Sequence, residues 1–363
     1  MSSPAPRPGI LDIIPYVAGS SGVEGLAKVA KLSSNESPLG PSPLAIGAYH
    51  KAADALERYP DSGATALREA LGQKHGLDPA RIVCSGGSEQ VLDCLIRAYA
   101  GPGDEVLFNQ HGFIVYFISA VSAGAAPVKA VETDFTADVD ALLDAVTDRT
   151  RVVCLANPNN PTGTYLPAAE VRRLRAGLPA HILLILDAAY AEYVDRDDYD
   201  AGASLVEQAD GNVVMTRTFS KIYGLAALRI GWAYCPAEVA AVVHRVRGAF
   251  NVSGPAQAAA VAALGDAAFT ARAKAHNDRW LPWLAREISA LGLQTSPSIG
   301  NFLLIHFPNG AGQAQAADRH LRARGVILRP VAAYGLGQCL RATVGLEQDN
   351  RAIIAGLKSF LSG

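Results

Sequence analysis

Apolar runs that alternate with amphipathic segments constrain the fold of this chain more than any other sequence feature. The alternation predicts strands at residues 105–108, 127–131, 151–156, 181–186 and 213–216, with helices at 113–123, 139–146 and 168–176. Strands separated by helices are typical of a mostly parallel sheet that is covered by helices on both faces and binds ligands at the carboxyl ends of its strands. The sequence therefore predicts an α/β fold for this part of the chain.

The pattern changes on both sides of this region. Residues 1–43 are rich in Ser, Pro and Gly, which indicates an irregular arm. After about residue 265 we predict helices at 271–291, 313–324 and 351–361, and strands at 301–307, 326–329 and 340–344. We therefore expect a large α/β domain over residues 44–265 and a smaller α+β domain over residues 266–363.

Composition excludes several classes of protein. The chain has 363 residues, of which 50% are hydrophobic, and its 32 basic and 34 acidic residues nearly cancel. No basic run suggests nucleic-acid binding, and no apolar run reaches the ~18 residues of a membrane span, so we expect a cytoplasmic protein that binds neither nucleic acid nor membranes. Five scattered cysteines without a C-x-x-C pair predict neither a disulfide framework nor a metal site.

The stretch TRTFSKIYGLAALRIGW, residues 216–232, contains the residues that most clearly indicate a chemical function. Lys221 follows a predicted strand, and a partly desolvated lysine can form a Schiff base with an aldehyde. The hydroxyls of Thr218 and Ser220 and the guanidinium of Arg229 suit a phosphate. Together they indicate a phosphorylated aldehyde such as pyridoxal phosphate. Taken alone, the stretch fits equally well a solvated lysine beside a structural arginine.

A turn of small residues, SGGSEQ at 85–90, lies between a predicted strand at 81–84 and a predicted helix at 91–99. This arrangement can present backbone amides at a helix N-terminus to an anion. The turn matches neither the G-x-G-x-x-G nor the Walker pattern, so nucleotide binding is not indicated. Ser88 as a helix N-cap, with Glu89 in the first turn, would also explain these residues.

Three further segments carry polar residues that suit the same cofactor. Asp187 in DAAY could keep a pyridine nitrogen protonated, while Asn160 in NPNNPTG and Tyr190 could donate to the phenolic oxygen of the ring. Singly, such an aspartate is more often a cap and such a tyrosine more often packs in a core. Asn35, in LSSNESPLGPSP, could face the site or cap a helix. Because these different motifs follow successive predicted strands, they favour a common site.

NPNNPTG, DAAY and TFSKIYGLAALRIGW resemble the signature blocks of the class I and II aminotransferases, which are fold type I pyridoxal phosphate enzymes. Within that family the chain most resembles the histidinol-phosphate aminotransferases, through PYVAG, LSSNESPLGPSP, RYPD, PSIGNFLLIHF and GVILRPVAAYGLGQCLRATVG. The resemblance implies ping-pong conversion of L-histidinol phosphate and 2-oxoglutarate to imidazole acetol phosphate and L-glutamate, in histidine biosynthesis. It also implies that the N-terminal arm joins the smaller domain and that the active site lies in the cleft between the domains.

The resemblance also implies a role for each motif residue. Lys221 would be the Schiff-base lysine and would move the proton between the substrate Cα and the cofactor's C4′, with Asp187 at the pyridine nitrogen. Asn160 and Tyr190 would hold the phenolic oxygen, and Phe113 would stack on the ring. The cofactor phosphate would be held by Gly87, Ser88, Glu89, Thr218, Ser220, Arg229 and, from a partner subunit, Tyr59, which implies a homodimer.

The substrate residues implied by the resemblance are Arg341 for the anionic end of the substrate, Arg329 and Tyr16 for its phosphate, and Asn35. A surface ion pair is the alternative for Arg329. The chain departs from the family at Ser88-Glu89-Gln90, at Ala188 and at Ala227, none of which is a proposed catalytic residue. Rival functions are an aromatic amino-acid aminotransferase, a cobalamin-pathway amino acid phosphate decarboxylase and a non-catalytic transcriptional regulator; the intact Lys221 argues against the last.

Overall fold

The structure is a computed structural model that describes residues 5–15, 19–26, 28–208 and 211–363. Within these ranges the strands are β1 (Ala30–Lys31), β2 (Ile82–Ser85), β3 (Glu105–Asn109), β4 (Ala126–Ala130), β5 (Glu132–Thr133), β6 (Thr136–Ala137), β7 (Thr150–Ala156), β8 (Leu183–Asp187), β9 (Val213–Thr218), β10 (Gly231–Tyr234), β11 (Gln294–Thr295), β12 (Phe302–His306), β13 (Val326–Ile327), β14 (Arg329–Val331) and β15 (Leu336–Thr343). The helices are α1 (Pro43–Ala52), α2 (Thr65–His75), α3 (Ser88–Tyr99), α4 (Ile114–Ala123), α5 (Val139–Asp144), α6 (Ala168–Gly177), α7 (Ala203–Gln208), α8 (Ala237–Val246), α9 (Gly254–Gly265), α10 (Ala267–Ala290), α11 (Ala311–Arg322) and α12 (Glu347–Leu361).

The central sheet has the strand order β2-β10-β9-β8-β7-β3-β4. Neighbouring strands run parallel except at β10, which is antiparallel to both β2 and β9. The α/β fold predicted from the sequence is therefore confirmed. The prediction contained no strand at β10, because only a single 3-10 turn, Ala226–Leu228, and no α-helix separates this four-residue strand from β9, which breaks the alternation on which the prediction rested.

Helices cover both faces of this sheet because its side chains alternate between two cores. Along β7, Val153 and Leu155 belong to one core, and Val152 and Cys154 belong to the other. The second core also contains residues of α3, α4 and α8, among them the fully buried Tyr116 of α4. With both faces covered, a ligand can reach the sheet at the ends of its strands.

A smaller antiparallel sheet has the order β11-β12-β15-β14, and its core includes residues of α10, α11 and α12. Residues of the N-terminal arm lie against this part of the chain, since β1 pairs in parallel with β13. Leu32 then donates from its amide to the Ile327 carbonyl at 2.9 Å and accepts from the Thr343 amide at 3.0 Å. The residues after Leu32 are thereby held beside β15. In the described ranges no helix is both long and apolar enough to cross a membrane.

Candidate active site

A cavity of about 340 Å³ lies at the carboxyl ends of β7, β8 and β9. This is the edge at which the sequence predicts ligand binding. The structure brings most of the predicted site residues together in the cavity lining, namely Asn35, Ser88, Glu89, Phe113, Asn160, Asp187, Tyr190, Thr218, Ser220, Lys221, Arg229, Arg329 and Arg341.

Among the described residues, two other predicted site residues, Gly87 and Tyr59, do not line this cavity. Gly87 lies beside it, and a Cβ at this position would be 2.5 Å from Nη2 of Arg229, so the glycine lets the guanidinium approach the turn. Tyr59 is 82% exposed and stacks on Phe250 with 4.5 Å between ring centroids. Its predicted contact is with a partner subunit, so it stays a prediction. Tyr16 lies outside the described residues.

Asp187 ends β8 and is only 4% exposed. Tyr116 Oη donates to its Oδ2 at 2.9 Å, and Thr216 Oγ1 donates to its Oδ1 at 3.1 Å. Burial raises the pKa of the carboxyl, and the two hydrogen bonds oppose that rise because they stabilise the anion. The sequence prediction missed both donors. Their spacing from predicted site residues indicates both donors. Tyr116 lies three positions after Phe113, about one helical turn away, and Thr216 lies two positions before Thr218 on the same face of β9.

Lys221 follows β9 by three positions, and its Nζ donates to the Ser34 carbonyl at 3.2 Å. The same nitrogen lies 5.6 Å from the centroid of the Tyr190 ring. Burial, followed by the positive charge of Arg341, lowers the pKa of Lys221 from its ordinary value to about 7. A large fraction of the amine is therefore neutral near pH 7, which is the form that attacks an aldehyde.

An anion cradle lies next to Lys221; we use this name for the groups at Ser88, Thr218, Ser220 and Arg229. Arg229 Nη1 donates to Ser220 Oγ at 3.4 Å, and the Ser220 amide donates to Thr218 Oγ1 at 3.1 Å. Helix α3 begins at Ser88, after Gly87 at φ 85°, and within the described chain no side chain caps it. Ser88 is thus the first helical residue and not an N-cap. The amides of Gly86, Gly87 and Gln90 are hydrogen-bonded within the turn, so the amides of Ser88 and Glu89 are the ones that can serve an anion.

The close approach of β10 completes this cradle. A Cβ on Gly231 would lie 2.3 Å from the Ser88 amide nitrogen, so a glycine is required where the strand passes the turn. The side chain of Glu89 faces the cradle as well, with Oε2 at 3.8 Å from Nη2 of Arg229. Sequence reasoning did not single out Gly231, although it lies within the stretch that contains Lys221.

The opposite wall of the cavity comes from the arm and the smaller sheet. Arg341 on β15 is 5% exposed and donates to the Ser33 carbonyl at 2.7 Å and to Oδ1 of Asn160. Asn35 donates from Nδ2 to Tyr190 Oη at 2.8 Å and accepts from Thr343 Oγ1 at 3.0 Å. Asn35 therefore faces the site and caps no helix; the N-cap of α1 is Ser42.

Arg329 and a second cavity extend this wall. Arg329 on β14 lies directly opposite Arg341 in the strand register, so two arginines meet at one side of the cavity. The neighbouring cavity, of about 650 Å³, shares Arg329 and Tyr334 with the first. Its lining is largely apolar and includes Ile14, Ile114, Phe117, Ile118, Pro330 and Ala333.

The residues of the first cavity fit pyridoxal phosphate. The anion cradle suits its phosphate, the neutral amine of Lys221 suits its aldehyde, and the buried carboxylate of Asp187 suits a protonated pyridine nitrogen. Among the residues that the structure describes, no group of three or more His, Cys, Asp or Glu side chains could hold a metal ion.

Comparison with known proteins defines the class. The chain matches the aminotransferase class I and II family over residues 27–356 and belongs to that family. It is 57% identical over 362 residues to a histidinol-phosphate aminotransferase of Paramagnetospirillum magneticum, with 99% of each chain covered, and 53% identical over 363 residues to that of Rhodospirillum centenum, with 100% of each covered. The crystal structure of the Sinorhizobium meliloti histidinol-phosphate aminotransferase with pyridoxal 5′-phosphate matches with a TM-score of 0.91 and 29% identity over 99% of each chain. The family resemblance stated from the sequence is confirmed.

Proposed function

We propose that this chain is a pyridoxal phosphate-dependent aminotransferase of histidine biosynthesis, which transfers the amino group of L-histidinol phosphate to 2-oxoglutarate. One observation supports pyridoxal phosphate as the cofactor: a lysine with a pKa of about 7 shares a cavity with a buried carboxylate and an anion cradle. The substrate is supported by relatives named histidinol-phosphate aminotransferase at 52% to 57% identity. Each residue role below is part of this proposal.

When bound, pyridoxal phosphate supplies an aldehyde that takes up the amino group and a ring that withdraws electrons from the bonds at the substrate Cα. The cradle residues Ser88, Thr218, Ser220 and Arg229 would hold its phosphate. Asp187 would keep the pyridine nitrogen protonated, because a buried carboxylate stabilises a nearby positive charge. Tyr190 and Asn160 would donate to the phenolic oxygen, and Phe113 would cover the ring.

Lys221 is the group that moves the proton. Its pKa of about 7 lets the amine accept a proton from the substrate Cα and release it again near neutral pH. The Ser34 carbonyl, at 3.2 Å from Nζ, orients the amine between the sheet and the arm. Between the two half-reactions the amino group would be held by the cofactor, so that one product can leave before the second substrate enters, and Lys221 would move the proton in each half-reaction.

The two arginines serve the two substrates in turn. Arg329 and Arg341 lie in register on neighbouring strands, so their guanidinium groups can bind the phosphate dianion of histidinol phosphate or the carboxylates of 2-oxoglutarate. A guanidinium fork accepts either anion because it presents several N–H donors in one plane. Tyr16 stays in the proposal, from the sequence alone, as a further ligand of the substrate phosphate.

The proposal includes a homodimer in which Tyr59 reaches the cofactor phosphate of the partner. An exposed apolar patch around Tyr59 supports a buried surface here, since Leu56 is 69% exposed and Phe250 is 42% exposed. Light scattering during gel filtration would measure the oligomeric state, and Tyr59→Phe should weaken cofactor binding several-fold. A monomer with full cofactor affinity would contradict this part of the proposal.

The domain limits, 44–265 for the large domain and 1–43 with 266–363 for the small one, are likewise proposed from the sequence. The parallel pairing of β1 with β13 agrees with an arm that belongs to the smaller domain. A cytoplasmic location also remains a prediction from the sequence. Limited proteolysis of the cofactor-free protein would test the limits, because cleavage should concentrate between compact units.

The decisive experiment follows the visible absorption of bound cofactor while a single amino donor is added. Histidinol phosphate should change the spectrum at a far lower concentration than phenylalanine. A protein that develops no cofactor absorption after incubation with pyridoxal phosphate would refute the proposed cofactor and with it the reaction.

An aromatic amino-acid aminotransferase is the second candidate, and one observation favours it. The largely apolar cavity beside Arg329 and Tyr334 could accept an aromatic side chain. If phenylalanine changes the spectrum as readily as histidinol phosphate, this candidate replaces the first, and Arg329 loses its role toward a substrate phosphate.

A further inference from the structure

We propose that the hydroxyl groups of Tyr116 and Thr216 are positioning groups that fix the orientation of the Asp187 carboxylate toward the cofactor ring. This inference rests on the proposed function and adds two residues to it. Neither residue lines the cavity, so neither would touch substrate. The two hydroxyl groups would therefore affect the cofactor only through Asp187.

The geometry gives each carboxylate oxygen its own donor. Tyr116 Oη lies 2.9 Å from Oδ2, and Thr216 Oγ1 lies 3.1 Å from Oδ1. The final torsion of an aspartate side chain has broad, shallow preferences, so hydrogen bonds decide the plane of the carboxylate. Because Asp187 is 4% exposed, solvent contributes little to that choice. The Ala189 amide also bonds the carboxylate, and the two side-chain donors on opposite oxygens complete the set that defines its plane.

The two donors come from separate elements that are both rigidly packed. Tyr116 lies on α4 with no exposed surface, and Thr216 lies on β9, also with none. The pKa of Tyr116 is raised well above its ordinary value, first by burial and then by the charge of Asp187. The phenol is thus protonated near neutral pH and can donate to the carboxylate.

Tyr116 also contacts the residue predicted to cover the ring. Its ring meets the ring of Phe113 edge to face, with 5.9 Å between centroids and 90° between planes. The first turn of α4 therefore supports the predicted contacts at both the face and the nitrogen of the pyridine. Substituting the hydroxyl alone separates these two effects, since phenylalanine keeps the ring contact.

The test compares Tyr116→Phe with the native protein, both loaded with pyridoxal phosphate. We expect the dissociation constant of the cofactor to rise about tenfold, because a hydrogen bond to a buried charge is lost. The absorption maximum of bound cofactor should shift, and kcat of the histidinol phosphate half-reaction should fall about tenfold. The KM for histidinol phosphate should stay within about twofold, because Tyr116 does not line the cavity.

Two controls separate positioning from packing. Tyr193→Phe removes the hydroxyl of another buried tyrosine, which is 5% exposed and lies outside the cavity lining, and should leave the cofactor affinity and spectrum unchanged. Thr216→Val should reproduce the cofactor defect of Tyr116→Phe, whereas Thr216→Ser, which keeps the hydroxyl, should restore the native values. The threonine pair also provides the test if Tyr116→Phe fails to fold.

Two results would overturn this inference and leave the proposed function intact. One is native cofactor affinity and an unshifted spectrum in both Tyr116→Phe and Thr216→Val. The other is an equal loss in Tyr193→Phe, which would indicate general loosening of the core. If the native protein itself takes up no pyridoxal phosphate, the proposed function fails first and the inference falls with it.

Discussion

The cavity has two halves that are built in different ways. The sheet-edge half, which we define as Asp187, Lys221 and Arg229, comes from the end of β8 and from the segment that joins β9 to β10. The arm half, which we define as Asn35, Arg329 and Arg341, joins segments from the two ends of the chain; Asn35 and Thr343 are hydrogen-bonded although 308 positions apart. The first half follows from the local strand order, and the second depends on the whole fold.

Each half contains a cation with little access to water, half-buried Lys221 and buried Arg341, and the loss of hydration affects the two cations differently. Lys221 has a pKa lowered to about 7, so it loses its charge easily. Arg341, 5% exposed, keeps its charge because a guanidinium is not deprotonated in proteins, and it is held by the Ser33 carbonyl and by Asn160. Loss of hydration thus yields a reactive amine in the half proposed for chemistry, whereas the half proposed for binding keeps a permanent charge.

The largest expected effect comes from removing the reactive amine. Lys221→Ala should lower turnover of histidinol phosphate by at least about a thousandfold, because proton transfer at Cα loses its base and the cofactor loses its covalent partner. Steady-state rates measured with saturating pyridoxal phosphate would check this. Lys358→Ala, on the exposed face of α12, is the matched control and should have native activity. Turnover by Lys221→Ala within tenfold of the native rate would show that the sheet-edge half does not supply the base for the reaction.

Arg341→Lys should have the second largest effect. The substitution keeps the positive charge but loses the planar fork, so kcat/KM for histidinol phosphate should fall about a hundredfold. Most of the loss should be in KM, since the arginine is proposed to bind and not to react. Arg351→Lys, in an exposed pair with Glu347, provides the control. An unchanged KM would show that the arm half does not bind the anionic end of the substrate.

The same comparison explains what sequence reasoning could predict. Lys221, Asp187 and the phosphate turn follow strands with strong apolar patterns, so their common edge was predictable. The donors Tyr116 and Thr216 were missed, because residue type alone does not distinguish a tyrosine in an apolar helix or a threonine in a strand from core residues; only their spacing from Phe113 and Thr218 indicates them. The choice between facing the site and capping a helix for Asn35 also needed the structure, because pairing between β1 and β13 places it.

Arg229→Gln should affect the cofactor more than the substrate. The guanidinium donates to Ser220 Oγ and lies against Gly87, so its loss leaves the anion cradle without its cation. We expect the dissociation constant of pyridoxal phosphate to rise about thirtyfold, with a small change in KM once the site is saturated. Equilibrium dialysis against pyridoxal phosphate would measure it. The control is Arg245→Gln on α8, whose side chain is exposed; native affinity in Arg229→Gln would contradict its role.

The pH dependence of cofactor uptake links the two halves. The neutral amine of Lys221 is the reactive form, so the rate at which cofactor-free protein takes up pyridoxal phosphate should rise with pH through about 7. Between about pH 6 and pH 9 the neutral fraction grows about tenfold, whereas an ordinary lysine would still be gaining reactivity above about pH 10. Rapid-mixing absorbance at several pH values would give the midpoint.

The charge of Arg341 is the second cause of this lowered pKa, after burial. Arg341→Gln should therefore move the midpoint of uptake to a higher pH, while Arg341→Lys, which keeps the charge, should leave it close to the native value. The shift should be smaller than the whole departure of Lys221 from its ordinary pKa, because burial remains. If both variants titrate like the native protein, the charge of Arg341 does not tune the pKa of Lys221, and this link between the two halves is absent.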